Sequence, residues 1–478
     1  MRINMVAFGA LAVALGWWSP SPDPVRGLAA PRHPAAVAGR AEIGLEWEPV
    51  DGALDYEVLW STERDPRAGK AARIEGVQPG FVHRGLEPGV EVQYRIAARS
   101  AEETSKPSRK VSATPGGPYG LLRLGTGRVV DCAEGEVVEV PIERRIHTVV
   151  CAEGYLEEEL AAGTFGRDVE SWEQDVFTVW PYDELREAFV VWTLATPSAE
   201  HISATNPQRA ATAFLVPLTE DGRGIHSSVP LGGDTARRVW EALADFPFPA
   251  EEFYPRGGQT SMIAKNLLVA LLVLDPARGR SGLSGRARRL ENPRDSGERI
   301  SASIAHNRVH ELSHALARLQ DEYLDHDQTL GADLPRKPKS AVISNVVKDP
   351  SEEQLPWRHL LVGGEINPDV EGLVGAFGDP RIGYHSEFKC LMNGTHDNAD
   401  FYGGRGNLRV RRFCNFCREL MFLRIYERVG ILDDTGRSLE TWTRRYRGPF
   451  YELHGFAVPD TVPQQNSEGE PVFQDCRR

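Results

Sequence analysis

Apolar and polar positions follow one rhythm in the first quarter of the chain and another afterwards. Between residues 33 and 115 they alternate in short runs: Ile43, Leu45 and Trp47, then Tyr56, Val58 and Trp60, then Val92, Tyr94 and Ile96. A period of two puts one face of each run inside, which predicts strands. Pro49-Val50-Asp51-Gly52 and Gly85-Leu86-Glu87-Pro88-Gly89 supply turns between the runs, and Val111-Ser112-Ala113-Thr114-Pro115 closes the set. After a linker at Gly116-Gly117-Pro118 the pattern is mixed. Residues 137–141, 146–150, 189–194 and 267–274 read as strands, the last one buried on both faces; 156–160 and 236–244 read as helices. Gly279, Gly282 and Gly285 among arginines predict a loop or edge strand, and a long helix is predicted from about 300 to 323. The expected architecture is multidomain: an all-β sandwich at 33–115, an α/β domain at 120–458, and a polar tail at 459–478.

Composition narrows the function. The chain has 478 residues, too many for one ordinary core. Its formal net charge is -13, with no basic stripe to neutralise phosphates, so nucleic acid is not expected as a partner. Arg2 precedes an apolar run at 5–18 (MVAFGALAVALGWW), and Gly27-Leu28-Ala29-Ala30 follows a proline-rich spacer. This predicts a signal peptide at 1–30 and a secreted or periplasmic protein. The run is short for a bilayer and no other stretch is apolar enough, so no membrane span is expected after signal removal. Export makes the six cysteines candidates for disulfides. Cys414-Asn415-Phe416-Cys417 is a CxxC, readable as a redox pair or half a zinc knuckle. No second CxxC completes a four-sulfur site, so structural disulfides are expected.

The chemistry concentrates at His310-Glu311-Leu312-Ser313-His314. Residues four apart lie one above the other on a helix, so His310 and His314 can offer imidazole nitrogens to one zinc ion. Glu311, rotated round the helix, is placed to act as general base on the zinc-activated water. Ile304, Ala305, Val309, Leu312, Ala315, Leu316 and Leu319 make the helix mostly apolar, and buried histidines in such a helix need a partner. His306 extends the stripe but reads as a capping or supporting residue, because three histidines on one straight helix span too far for one ion.

Two resemblances follow from these residues. The alternating runs, with "DYEVLW", "GLEPG" and "VSATP", resemble a fibronectin type III domain, although Val92 stands where its corner tyrosine is expected. Such a domain implies a spacer or a module that binds protein or glycan. "HELSHALARLQDEY" is similar to the signature of the IgA-peptidase (igalysin-like) zinc metallopeptidases. So are Cys151-Ala152-Glu153-Gly154-Tyr155, with Glu153 in place of the usual aspartate, and Pro181-Tyr182. Ser344-Asn345-Val346, Pro356-Trp357-Arg358, Gly383-Tyr384-His385, Cys390-Leu391-Met392 and "FCNFCRELM" continue the likeness. It implies a metzincin-like domain with one catalytic zinc, Asp321 as third metal ligand and Met392 as a hydrophobic floor. Asp321 lies seven residues past His314, so the helix must end and bend between them. The family often has glycine there, whereas this chain has Ala317-Arg318. Glu322, His326 and His385 are alternative ligands, and Tyr323 or Tyr384 an oxyanion donor. The resemblance also implies a bridge from Cys390 to Cys414 or Cys417, and Cys132 with Cys151 is the natural second one.

The expected function is therefore a secreted zinc endopeptidase acting on a protein or peptide substrate. The alternative is a non-catalytic surface or envelope protein whose zinc is structural and whose sandwich binds a protein or glycan ligand.

Overall fold

The computed structural model describes residues 27–63, 65–66, 71–201, 211–216, 233–248, 266–274, 286–292, 295–304, 308–320, 322, 344–361, 374–379, 383–387, 390–392, 412–432 and 438–456. Of the expected signal peptide at 1–30, residues 1–26 lie outside them, as does the polar tail at 459–478. The chain forms two compact units. The first comprises the residues up to Ala35 with Trp47–Pro79 and Val92–Ser112; the second comprises Ala36–Glu46, Gly80–Glu91 and everything from Ala113.

Strands β1 (Ala35–Ala38), β2 (Glu42–Glu46) and β5 (Phe81–Arg84) form a three-stranded sheet, ordered β1-β2-β5. Strands β3 (Asp55–Ser61), β4 (Ala72–Val77), β6 (Val92–Arg99) and β7 (Val111–Ala113) form a four-stranded one, ordered β4-β3-β6-β7. These are sheets of β-sandwich type, as the alternation requires. The first unit is cored by Trp47, which meets Tyr56 edge-on at 5.1 Å, with Val58, Tyr94 and Ile96.

The second unit is built on a six-stranded mixed sheet. Its strands are β8 (Tyr119–Leu124), β11 (Ile146–Glu153), β12 (Phe189–Leu194), β13 (Leu267–Val273), β14 (Arg286–Asn292) and β15 (Asp295–Ile304), ordered β14-β15-β13-β11-β12-β8. Strands β9 (Arg128–Asp131) and β10 (Glu136–Glu139) pair apart from it. The inner strands run parallel, while edge strands β8 and β14 run antiparallel to their neighbours. All seven β13 residues are buried, as in a central strand covered on both faces. Period-two alternation deals the side chains into two layers. Val150, Ala152, Leu268, Ala270 and Leu272 pack with α2 (Thr164–Val176), which follows the acidic α1 (Glu157–Ala161). Val149, Cys151, Trp192, Val269 and Leu271 pack with Ala236 and Val239 of α3 (Asp234–Ala242). This alternation overturns one expected bridge. Cys151 faces the α3 layer and Cys132 belongs to the opposite one, so they do not pair.

The long helix expected at 300–323 is corrected at both ends. Ile300, Ala302 and Ile304 alternate with Ser301 and Ser303, and the stretch is strand β15, paired with β13 and β14. The helix, α4, spans only Arg308–Ala317. Further on come α5 (Arg358–Leu361), the hairpin of β16 (Phe377–Asp379) and β17 (Gly383–His385), and α6 (Asn415–Val429). Helices α7 (Ser438–Thr441) and α8 (Arg447–His454) close the fold. Buried Glu419 of α6 gathers His359 Nε2 at 2.8 Å, Trp442 Nε1 at 2.9 Å, Arg447 Nε at 2.7 Å and the Tyr451 hydroxyl at 2.9 Å. Burial alone would raise this carboxyl, but His359 and Arg447 outweigh it and hold it down at about 2.

Candidate metal centre

Helix α4 carries the HELSH motif, and its packing fixes which way each side chain faces. Leu312 and Leu316 point into the core. Ser313 is wholly buried; its hydroxyl lies 2.6 Å from the Val309 carbonyl and 2.9 Å from the Tyr182 hydroxyl, so Pro181-Tyr182 braces the helix from outside. At the other end the Arg428 guanidinium of α6 donates to the carbonyls of Leu316 at 3.0 Å and Ala315 at 3.1 Å. Those are terminal carbonyls that the helix itself leaves unsatisfied, and the cation also complements the helix dipole.

With the helix so held, the two imidazoles converge. His310 Nε2 and His314 Nε2 lie 3.0 Å apart, with the rings nearly perpendicular at 86°. His310 Nδ1 sits 3.1 Å from the Leu391 carbonyl, and His314 Nδ1 contacts the Leu319 carbonyl. A carbonyl only accepts, so each Nδ1 directs its proton at a carbonyl and each Nε2 is turned towards the other. Two ring nitrogens meeting at that distance need a proton or a metal ion between them. This is the donor arrangement a metal ion selects, with carbonyls fixing the tautomers from behind. Glu311 is buried, with a carboxylate oxygen within 4.8 Å of both ligating nitrogens. His314 is partly exposed, which leaves the cluster open on that side.

The bend beyond His314 is present. Arg318 adopts φ +57, and its N–H bonds the His314 carbonyl at 3.1 Å, ending α4 in a left-handed cap usually given to glycine. Asn345 then grips the chain: it accepts from Gln320 N at 2.7 Å and donates to the Gln320 carbonyl and Glu322 Oε1, both at 2.9 Å. Asp321, like His306, Tyr323 and His326, lies outside the described residues. Met392 is fully buried beside Leu391, whose carbonyl orients His310, and its own carbonyl accepts from Glu322 N at 2.9 Å. Tyr384 sits on β17, paired through its backbone with Val347.

Glu322 does not serve the histidine pair. Its carboxyl turns into a second buried group with Cys390, Cys414 and Cys417, whose ligating atoms all lie within 4.8 Å of one another. His385 is drawn the same way, with Nδ1 at 3.6 Å from Glu322 Oε2 and 2.8 Å from the Glu387 carbonyl, and burial lowers it to about 4. Burial raises the Glu322 carboxyl and the Cys390 and Cys417 thiols; at Cys414 burial is outweighed by hydrogen bonds from Cys390, Cys417 and Ser386, which favour its thiolate. The expected bridge from Cys390 to Cys414 or Cys417 is therefore replaced by a three-way meeting of thiols, and every described cysteine is free. Sequence reasoning missed this group because its members come from three separate segments. Only the CxxC spacing hinted at it.

At Glu153 the carboxyl, at the end of β11, accepts from Thr212 Oγ1 at 2.6 Å, Phe214 N at 2.7 Å and Val216 N at 2.9 Å, so it anchors a loop. Among the described residues no helix is long and apolar enough to cross a membrane.

No family model matches the chain, and no curated protein matches it. Solved structures do match, over about a fifth of the chain in the two that follow. The fn3 domain of human collagen alpha-1(XX) chain is 22% identical, covering 20% of this chain and 93% of that one, with TM-score 0.17. A Fn3-like protein from Clostridium thermocellum is also 22% identical, covering 18% and 92%, with TM-score 0.17.

Proposed function

We propose that this chain is an exported zinc-dependent endopeptidase. The observation that carries the reading is the convergence of His310 Nε2 and His314 Nε2 at 3.0 Å, each ring held by a carbonyl at Nδ1, with Glu311 buried beside them. The resemblance of "HELSHALARLQDEY" to igalysin-like peptidases supports the same assignment, and it makes Asp321 the third ligand. Asn345 holds Gln320 and Glu322, the sequence neighbours of Asp321. Zinc, once bound, supplies Lewis-acid polarisation of a peptide carbonyl and acidifies water.

The chain's own part is proton handling and positioning. Glu311 takes a proton from the attacking water as its oxygen adds to the carbonyl carbon, then returns that proton to the amine as the carbon–nitrogen bond breaks. Among the described residues β14 is the outermost strand on its side of the sheet, beside the strand that leads into α4, and an extended substrate would pair along it. The exported location rests on the apolar run at 5–18, and the sandwich serves as a spacer or a protein- or glycan-binding module.

The test is cleavage of casein and a broad peptide library by purified protein, with and without chelator, beside Glu311→Gln. Chelator-sensitive cleavage lost in Glu311→Gln is the expected result. Zinc retained by both proteins with no cleavage by either would leave a non-catalytic zinc protein. Zinc affinity unchanged in Asp321→Ala would remove that residue from the site.

A further inference from the structure

We propose that Glu322, Cys390, Cys414 and Cys417 form a second metal site, a closed structural zinc centre that fixes the turn orienting His310. Three sulfurs and one carboxylate oxygen, all buried, lie within 4.8 Å of one another. Four donors in a closed set of sulfur and oxygen suit tetrahedral zinc. Cys417 Sγ is 3.3 Å from Glu322 Oε1, so the carboxyl is inside the group rather than beside it.

Donor groups are aimed at two of the sulfurs. The Met392 and Cys414 N–H groups point at Cys390 Sγ at 3.4 and 3.3 Å, the Cys417 N–H at Cys414 Sγ at 3.4 Å, and Ser386 Oγ lies 3.3 Å from Cys414 Sγ. Backbone donors aimed at sulfur stabilise its charged form and set its direction, as supporting contacts do around metal ligands. Cys414 is also the N-cap residue of α6, a helix of 15 residues whose N-terminus attracts negative charge. A disulfide would join two of the three thiols and leave the third, with Glu322, unaccounted for.

The site's position explains its use. Cys390 and Met392 flank Leu391, whose carbonyl holds His310 Nδ1, and Glu322 N bonds the Met392 carbonyl. The ion would tie that turn, the segment following α4 and the start of α6 to one point. These residues position the catalytic histidine rather than touch substrate.

The experiment is zinc content of the full chain, purified without chelator or reductant, with X-ray absorption at the zinc edge on the His310→Ala/His314→Ala variant. That variant leaves the cysteine group intact, so the answer does not depend on a cysteine variant folding. The expected result is two zinc ions per chain in the native protein and one in the double-histidine variant. The remaining ion should show a sulfur-dominated shell at about 2.3 Å. Cys417→Ser should lose that ion and keep the other. A double-histidine variant free of zinc, or a Cys390–Cys414 or Cys390–Cys417 disulfide in peptide maps, would overturn the proposal. Two zinc ions with no peptidase activity would refute the enzyme reading and leave this one standing.

Discussion

Among the described residues two clusters of side chains could hold a metal ion, and their contrast is instructive. His310, Glu311 and His314 all come from one helix turn, present nitrogen and oxygen, and open to solvent at His314. Glu322, Cys390, Cys414 and Cys417 come from three segments, present mostly sulfur, and are buried on all sides. A catalytic metal keeps a coordination position for substrate, whereas a structural one is closed by protein. Openness, more than the identity of the ion, separates a site that does chemistry from one that holds the fold.

Chelation is the broadest way to probe that difference. A strong chelator at neutral pH should abolish peptidase activity and remove the histidine-bound ion, while the sulfur-bound ion stays until a thiol reagent is added; zinc release followed by a chromophoric indicator reads both. If both ions leave together, the open-and-closed distinction fails. Glu311→Gln should lower kcat by about 10²- to 10⁴-fold, the usual loss on removing a general base, with zinc content unchanged.

Two substitutions on α6 separate packing from metal. Arg428→Met removes the guanidinium from the carbonyls of Ala315 and Leu316 and should destabilise by about 2–4 kcal/mol in denaturant unfolding. Because α4 carries the open cluster, zinc should be lost there first. Glu419→Gln should cost about 1–3 kcal/mol at neutral pH and leave both metals in place. Glu419 is held at about 2 in the fold, below its ordinary 4.5, so its contribution is present above that ordinary value and fades as pH falls towards 2. The penalty of Glu419→Gln should fade in the same window, which urea titrations at stepped pH will show. Smallest is Arg318→Gly, which relieves a left-handed residue and should stabilise by up to about 1 kcal/mol without altering activity. A loss of activity there would assign the Arg318 side chain a further role.

Local patterns were legible and distant meetings were not. The strands at 189–194 and 267–274 were readable because parallel, doubly covered strands are continuously apolar. The HELSH spacing was readable because one helix turn sets it. The predicted helix start at 300 gives way to a strand, since Ile300, Ala302 and Ile304 satisfy a strand period as readily as an apolar helical face. Disulfides were expected from export and cysteine number, but spacing says nothing about which sheet face a cysteine occupies. Cys132 and Cys151 lie in opposite core layers for that reason. Glu322 is an alternative ligand on sequence, yet Asn345 and Cys417 direct its carboxyl elsewhere.

The most direct test is a crystal structure of zinc-loaded protein with anomalous difference density recorded at the zinc edge. The account predicts a peak bonded to both His310 Nε2 and His314 Nε2 at about 2.0–2.1 Å, with Glu311 beside it but not bound. Rings without such a peak, or pointing to different places, would contradict it.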